Sequence, residues 1–568
     1  SYNFKREYAT RSFNTVYASF DIWKGIKFAS TFSYDFVMNK SRAWKDPRTS
    51  DGDDDNGRFS KDYNDITNMT WSNILTYQTK IKKKHNLDLL VGYEINSKES
   101  DGLGTTISNF ARWDKPEVNN GVVYQSMGGS NSTTRIVSYI TRANYDYDNK
   151  YYLGASWRTD GSSRLARENR WGNFWSLSGA WRVSSESFMK PLQNWLSDLK
   201  LRVSYGVNGT LPSSYYGYMG LSSLTSNYND NPGITQSQLE NKELTWETNY
   251  NFNSGIDLGF FDNRLNVTFE YYVRTTKNLL YSRPLSLATG FSSYLANIGK
   301  LQNKGYELEI RSTNIETKDF RWSTSLNLGH NANKILKLDG DLKQVTSGTS
   351  IHKVGLPYST YYMIEFAGID PVDGEPMFYK NTTDENGNLN KETTKDPRSA
   401  EKVILQCADP TITGGLGNSI SYKWFDLNFN VNFSFGAWNY DGAAGKLEHG
   451  GDGTLNIPIY YRKRWQKEGD ETSIERFVVG RSISMTDYAT TRRLYSGDYV
   501  RLKNLTFGFT LPKTWTRKVG IDNIRLYASG NNLLTWAAYD YIDPESGSSP
   551  SWDTPPMRTY TFGLEVKF

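Results

Sequence analysis

Apolar and polar residues alternate without interruption over the last stretch of the chain, 558–568. Successive side chains of a β-strand point to opposite faces, so this stretch predicts a strand with one apolar and one polar face. The apolar face is half aromatic and comprises Tyr560, Phe562, Leu564, Val566 and Phe568. This pattern is typical of transmembrane barrels, whose strands are apolar toward lipid and polar toward the lumen.

The same alternation recurs along the chain, for example at 426–436 and 265–274. Such segments exceed the usual soluble strand of about 5–6 residues and fit the roughly 9–11 residues that cross a bilayer. Asn is a poor strand former, so its repetition on one face indicates a hydrated lumen. Polar residues expected to face water, a plug or a ligand are Asn428, Asn430, Asn432, Glu270 and Arg274.

About seventeen such segments can be delimited between turn signals, which predicts an all-β, transmembrane antiparallel β-barrel. The predicted strand cores are 12–23, 26–37, 67–82, 86–98, 134–148, 150–160, 173–183, 199–207, 245–259, 263–276, 303–316, 320–332, 412–422, 424–436, 499–511, 523–534 and 558–568. Short connections alternate with long ones, as periplasmic turns alternate with extracellular loops in outer-membrane barrels. The predicted long loops are 38–66, 99–133, 208–244, 277–302, 333–411 and 437–498.

The strand number carries its own prediction, because single bacterial chains form barrels with an even number of strands. The final strand is expected to end on the side of the short turns. Counting back through seventeen antiparallel strands, the first strand must then begin on the side of the long loops. We therefore expect residues 1–568 to be the C-terminal part of a larger barrel, with an odd number of strands upstream.

Composition supports a membrane barrel over other classes. The sequence contains no run of 18 or more apolar residues, so no transmembrane helix is predicted. However, 15% of the 568 residues are aromatic, including 39 Tyr and 17 Trp. Aromatic girdles at both membrane interfaces account for such a content. The alternative is a large soluble β protein such as a propeller, but the repeat of about 40–50 residues expected of propeller blades is not found.

Other function classes find little support. The net charge of +5 comes without a basic stripe, so nucleic acid is not an expected partner. A single cysteine, Cys407, excludes an internal disulfide framework and a zinc–cysteine cluster. The four histidines are scattered, and neither a Ser/His/Asp grouping nor a phosphate-binding glycine loop is found, so we do not expect an enzyme.

One acidic segment is similar to a calcium-binding loop. Asp51, Asp53 and Asp55 occupy alternate positions and Asp62 the twelfth, as oxygen ligands do in an EF-hand. The sixth position, normally Gly, is Asn56. This segment could bind a structural Ca²⁺ or could be a solvated acidic loop tip, and we favour the loop tip. No other cofactor is expected.

Aromatic residues in the long loops and at strand ends are candidates for ligand binding, because flat rings stack on sugars and contact peptides. These residues are Trp44, Trp113, Trp438, Tyr440, Trp536, Tyr539, Tyr541 and Trp552. For each of them the alternative is a place in the interfacial girdle or in loop packing. We expect only one or two of the set to touch a ligand.

Several stretches resemble the SusC/RagA-type TonB-dependent transporters of Bacteroidota outer membranes, from about residue 10 to the end. They are RWGNF (170–174), SLSGAW (176–181), LKLRVSYG (199–206), LTWETN (244–249), GKLQNKGYE (299–307), DYVRLKNL (498–505), LYASGNNLLTW (526–536) and RTYTFG (558–563). Phe568, at the end of an alternating strand, also resembles the signal read by the barrel-assembly machinery.

The resemblance implies a barrel of about 22 strands, of which these would be strands 6–22. It also implies an upstream plug domain that couples to TonB–ExbB–ExbD, contact with outer-membrane lipid and a SusD-like surface lipoprotein. The implied function is active import of oligosaccharides or peptides. The alternatives are a surface receptor or assembly component that uses the barrel as an anchor, and a passive porin.

Overall fold

The computed structural model describes residues 2–229, 231–338, 340, 342–451, 456–480, 488–539, 541–546 and 555–568. The strands are β1 (Phe4–Trp23), β2 (Ile26–Lys45), β3 (Arg58–Ile81), β4 (His85–Phe110), β5 (Gly121–Tyr147), β6 (Tyr151–Ser162), β7 (Trp171–Arg182), β8 (Leu196–Thr210), β9 (Leu221–Tyr228), β10 (Asn231–Gln238), β11 (Glu247–Phe260), β12 (Leu265–Lys277), β13 (Leu280–Pro284), β14 (Ser293–Asn297), β15 (Lys300–Glu316), β16 (Phe320–Lys337), β17 (Gln344–Ser347), β18 (Ser350–Lys353), β19 (Thr360–Ile364), β20 (Phe366–Ile369), β21 (Pro376–Tyr379), β22 (Thr393–Thr394), β23 (Lys402–Cys407), β24 (Ile412–Tyr422), β25 (Phe425–Phe435), β26 (Trp438–Tyr440), β27 (Leu494–Ser496), β28 (Tyr499–Thr510), β29 (Asn523–Ala537) and β30 (Thr559–Lys567).

Helical structure is confined to short segments. The α-helices are α1 (Gly442–Leu447) and α2 (Lys513–Thr516). Short 3₁₀ segments lie at Val118–Asn120, Arg167–Asn169, Val183–Ser185, Ser187–Leu192, Leu287–Thr289, Pro397–Ser399, Ile459–Lys463, Thr491–Arg493, Arg517–Val519 and Pro544–Ser546. Within the described ranges, none of the helices has the length and apolarity to cross a membrane.

Seventeen strands form one antiparallel sheet, and each of the seventeen predicted cores overlaps one of them. The members of the sheet are β1–β8, β11, β12, β15, β16, β24, β25 and β28–β30. The all-β prediction and the strand number are thus confirmed. The remaining strands form small sheets in the connections, such as β17–β19 with β23, and β20–β22.

The chain divides into two compact units. The first comprises 1–181, 203–252 and 276–298, and in it β1 to β7 pair consecutively with their neighbours in sequence. The second comprises 182–202, 253–275 and 299–568, and in it β15, β16, β24, β25, β28, β29 and β30 pair in that order.

Each unit exposes the apolar face of its strands. In the first unit Phe13 is 62% exposed and Leu153 62%, and in the second Phe562 is 83% exposed. Apolar side chains that recur at every second position along so many strands form a surface suited to lipid rather than water. Burial of apolar residues is instead concentrated in the connections.

Two buried clusters in the first unit illustrate this distribution. One combines Trp44, Phe59, Ile107 and Phe110 where strands β2 to β4 meet their connecting loops. The other, packed around the connection that follows β6, consists of Leu165, Phe174, Leu244 and Trp246. The hydrophobic effect therefore orders the loops, whereas backbone hydrogen bonds order the sheet.

Short turns depend on residues that adopt positive φ, as two-residue hairpins require. Gly25, between β1 and β2, has φ +81°, and a Cβ on it would lie 2.3 Å from the carbonyl oxygen of Gln78. Asp148 and Asn149, between β5 and β6, have φ of 55° and 52°. These are residue types that tolerate the left-handed region.

Strands β3 to β5 extend well beyond their predicted cores. β3 begins at Arg58 rather than 67, β4 reaches Phe110 rather than 98, and β5 begins at Gly121 rather than 134. Parts of the segments expected as loops 38–66 and 99–133 are therefore strand. These extensions lack apolar alternation because both of their faces can be polar, while their backbones continue to pair.

Candidate ligand site

A cleft of ≈ 400 Å³ opens among the long connections of the second unit. Its volume lies within the range of pockets that hold small ligands, about 300–1,000 Å³. Its aromatic lining consists of Phe366, Tyr460, Tyr495, Tyr539 and Tyr541. Its charged lining consists of Glu448, Lys463, Arg492 and Arg493.

One wall of the cleft is held by a small two-stranded sheet and a helix cap. Strand β26 pairs with β27, with Asn439 opposite Tyr495. Asp441 then caps helix α1, because its Oδ1 accepts a hydrogen bond from the Ala444 N–H at 2.7 Å. Its other carboxylate oxygen accepts a hydrogen bond from the Tyr539 hydroxyl at 3.2 Å. The cap therefore positions Tyr539 as well as the helix.

Four tyrosines form a continuous row along the cleft. Tyr495 and Tyr539 stack with ring centroids 3.5 Å apart and planes inclined by 19°. Tyr541 lies 5.2 Å from Tyr539 and meets Tyr460 edge-on at 5.5 Å. Tyr541, which lies between Tyr539 and Tyr460 in this row, is 67% exposed and is therefore accessible to a ligand.

A network of two arginines and two glutamates, with no net charge, contacts the tyrosines of this region. Arg492 pairs with Glu475, which is fully buried, and Arg493 Nε lies 3.3 Å from Glu448 Oε2. The Tyr461 hydroxyl donates to Glu475 at 2.9 Å, and the Tyr460 hydroxyl donates to Glu448. Two guanidinium groups thus balance two carboxylates, and the pairing holds the tyrosines in place.

Burial favours the neutral form of Tyr460 and Tyr539 by raising the pKa of both hydroxyls. Burial, reinforced by the hydrogen bond to Glu448, raises the pKa of Tyr460. Burial also raises the pKa of Tyr539, and the nearby Asp441 carboxylate adds to the effect. The Tyr495 hydroxyl is buried without a hydrogen-bond partner among the described residues. Neutral hydroxyls beside aromatic faces suit a ligand with polar groups and flat apolar surfaces.

A buried arginine fixes the connection that follows β29. Arg501, in β28, is only 2% exposed. Its guanidinium lies 2.6 Å from Asp543 Oδ2 and 2.8 Å from Glu545 Oε2, and its Nε donates to Thr535 Oγ1 at 3.0 Å. We call Arg501, Asp543 and Glu545 the arginine clamp. It ties the segment carrying Tyr541 to the sheet.

The polar face of the sheet in the second unit carries hydrogen-bonding groups, as the alternation predicts. Arg202 Nε lies 2.9 Å from Asp257, and its NH1 lies 3.3 Å from Glu270. Glu270 and Asn432 line a second cavity of ≈ 810 Å³. Asn428 and Asn430 line a smaller cleft, of ≈ 340 Å³, together with residues of β15, β16 and β24.

Of the aromatic residues selected from sequence, Tyr539 and Tyr541 line the cleft. Trp438 and Tyr440 lie on β26, the strand that pairs with the strand of Tyr495. Trp552 lies outside the described residues. Sequence reasoning missed Tyr460 and Tyr495, and their position in the aromatic-rich connection 437–498 was the available signal.

Three tryptophans of the predicted set lie away from the cleft lining. Trp44 is 3% exposed and packs edge-on against Phe110 at 4.9 Å, so it serves the loop core. Trp113 is 44% exposed and lies under the guanidinium of Arg48 at 5.5 Å. Trp536 is 59% exposed and shares the apolar face of β29 with Leu534, as a girdle residue does.

The acidic segment forms a turn between β2 and β3. Asp55 pairs with Arg58, while Asp62 lies within β3 opposite Ser41. In the part of the chain that the structure describes, no three His, Cys, Asp or Glu side chains converge as metal ligands would. The calcium site stays a prediction that this geometry does not favour.

Phe568 directly follows β30 and is 94% exposed. The sequence predicts a role for this residue as a barrel-assembly signal. The role itself stays a prediction.

Comparison with known proteins identifies the class. Residues 1–533 match the family described as TonB dependent receptor-like, beta-barrel. The chain belongs to this family, and it is a β-barrel protein of the outer membrane. The match covers most of the chain and includes the sheet strands from β1 to β28.

Individual relatives refine this assignment and confirm the resemblance to SusC and RagA. TonB-dependent receptor P3 of Formosa agariphila is 32% identical over 97% of this chain and 57% of its own length. TonB-dependent receptor SusC of Bacteroides thetaiotaomicron is 30% identical over 76% of this chain and 44% of its own. The RagAB peptide transporter structure matches with a TM-score of 0.89 at 27% identity, over 100% of this chain and 63% of its own. The chain thus spans between 44% and 63% of the length of these relatives.

Proposed function

We propose that this chain supplies the barrel wall and ligand-binding loops of a TonB-dependent importer of oligosaccharides or peptides. The observation that carries the proposal is the tyrosine row, Tyr495, Tyr539, Tyr541 and Tyr460, at the edge of a cleft between the long connections. Aromatic faces bind sugar rings and peptide side chains alike, so the row suits either class.

Two partners belong to the proposal. A SusD-like lipoprotein would cover the long connections, by analogy with the RagAB structure to which this chain is similar. Energy would come from TonB–ExbB–ExbD acting on a plug domain. This chain would then contribute a rigid wall, because backbone groups in a bilayer must stay paired.

Growth on defined nutrients tests the proposal. A strain lacking the gene is complemented with the wild type, with the double variant Tyr539→Ala/Tyr541→Ala, or with Tyr560→Ala. Tyr560 is also exposed, at 64%, but lies on the apolar face of β30, which makes it the matched control. We expect the double variant to slow growth on either glycans or peptides by at least about tenfold at limiting substrate, since each aromatic contact contributes about 1 kcal/mol or more.

Two outcomes would contradict the proposal. Equal growth of the double variant and Tyr560→Ala would show that the tyrosine row does not bind the nutrient. Unimpaired growth of the deletion strain on both classes of nutrient would remove the import function itself. The nutrient on which the deletion strain fails identifies the substrate class.

A further inference from the structure

Strand β5 (Gly121–Tyr147), in the first unit, is longer than one of the strands beside it. β4 pairs with β5 from Gly121 to Tyr147. β6, by contrast, pairs with β5 only from Ile136 onward. Segment 121–135 therefore has β4 on one side and, among the described strands, none on the other. Unpaired strand edges present N–H and C=O groups that can accept another strand.

Side chains take the place of strand β6 only at the C-terminal end of this segment, next to the point where β6 begins to pair. The N–H of Arg135 donates to Ser163 Oγ at 2.9 Å, and the N–H of Thr133 donates to the Tyr216 hydroxyl at 3.0 Å. N–H groups of alternate residues point to the same side of a strand. Those of Asn131, Gly129 and Met127 therefore point to the same open side. We call residues 127–131 the free edge.

The free edge is open on both faces. Every residue from 122 to 131 is exposed, and Met127 reaches 76%. A Cβ added to Gly128 would meet no atom within 4 Å. Nothing in the described part of the first unit covers this edge, so a partner strand could approach it without displacing other groups.

The side chains beside the free edge define what such a strand would carry. Asn131 lies opposite Asp101, and its amide nitrogen is 3.4 Å from both Asp101 and Glu99. Neither carboxylate has an ion-pair partner among the residues described. Leu103, opposite Gly129, is 56% exposed. The same face thus offers two uncompensated charges followed by an apolar patch.

We propose that the free edge of β5 docks an extended segment of a partner protein, which adds to the sheet as an extra strand. Main-chain hydrogen bonds would supply affinity, as in other cases of strand addition. Selectivity would come from Lys or Arg side chains opposite Asn131, which would reach across β5 toward Asp101 and Glu99, and from an apolar side chain opposite Met127. This surface is separate from the tyrosine cleft and does not rest on the proposed function.

Peptide binding to the intact protein in detergent micelles tests the proposal. The probe is a fluorescent peptide, Val-Thr-Val-Thr-Lys-Thr-Lys-Thr, used together with its sequence reversal and with versions in which Glu replaces Lys. Gly129→Pro removes the N–H that points to the open side, in a place where an edge strand tolerates Pro. Gly129→Ala is the matched control, because it keeps the N–H and its Cβ would lie 3.5 Å from the nearest atom, an ordinary contact.

We expect one orientation of the lysine peptide to bind the wild type and Gly129→Ala alike. Gly129→Pro should weaken this binding at least tenfold, and Asp101→Asn should weaken it several-fold. The proposal is overturned if neither orientation binds better than its Glu version, or if Gly129→Pro and Gly129→Ala bind equally. A dimer of the wild type that Gly129→Pro dissociates would also overturn it, because the occupant would then be a second copy of this chain.

Discussion

The arginine clamp offers a quantitative test of how the ligand cleft is held. Replacing Arg501 with Met keeps most of the side-chain length but removes the charge, which leaves Asp543 and Glu545 without their shared partner. Removing one member of a buried ion pair costs about 3–5 kcal/mol. The two carboxylate side chains are 13% and 23% exposed, and Lys503 still contacts Glu545 at 2.6 Å. We therefore expect the lower end of that range, about 3 kcal/mol.

This cost should appear as local opening of segment 541–546 rather than as unfolding of the sheet, because the clamp joins a connection to strands that remain paired. A change of about 3 kcal/mol multiplies the opening equilibrium by roughly 100-fold. Hydrogen–deuterium exchange, read by mass spectrometry on peptides from this segment, measures the change directly.

Lys503→Met is the matched control for the clamp. Lys503 pairs with Glu545, one of the carboxylates that Arg501 also contacts, but its side chain is 40% exposed. An exposed pair contributes about 0–1 kcal/mol, so exchange should rise by no more than about fivefold. If Arg501→Met and Lys503→Met accelerate exchange equally, or if Arg501→Met changes it less than about threefold, burial does not make the clamp strong and the reasoning fails.

Three further predictions concern the connections. Burial raises the pKa of the Cys407 thiol to about 11, so its alkylation should be roughly 100-fold slower at about pH 8 than in the unfolded chain and should keep rising with pH; a plateau near about pH 9 would contradict this. The side-chain hydrogen bond from Arg48 lowers the pKa of Asp46 to about 2. The turn that follows β2 should therefore resist cleavage by pepsin at about pH 4 and become sensitive as the pH falls through about 2. In the Asp46→Asn variant the turn should be cleaved at both of these pH values. Millimolar calcium should leave the thermal stability unchanged, because Asp55 already pairs with Arg58; a rise in Tm would establish the calcium site.

The strands of the sheet were predictable from sequence because the bilayer imposes a strict rule on them. Phe429, Val431 and Phe433 must face lipid while Asn430 and Asn432 face away, and this alternation is visible without any partner strand. The rule ends where the strand leaves the apolar layer. The extensions of β4 and β5 carry Gly102, Gly128 and Gly129, and it is pairing with neighbouring strands, not an apolar pattern, that makes them strand.

The candidate site was only partly predictable, for a different physical reason. Tyr539 and Tyr541 could be selected because aromatic residues in loops are conspicuous. Tyr460 and Tyr495 join them through tertiary contacts between segments that are distant in sequence. Trp44 shows the opposite error: it lies in a segment predicted as a loop but stands at the end of β2, where an aromatic residue is as suitable for a buried cluster as for a ligand.

The arginine clamp explains why residues that hold a site are harder to find from sequence than residues that line it. Arg501 occupies a position in β28 whose alternation reads simply as polar, and nothing local marks it as buried. Its partners lie 42 and 44 positions further along the chain, on a connection with no regular pattern. A charged residue at a strand end is buried only when a loop from elsewhere in the chain packs over it. The free-energy cost of burying its charge is offset only when both carboxylates pair with it. The same return brings Tyr541 to the cleft, so the position of this exposed ring depends on an ion pair that does not itself line the cleft.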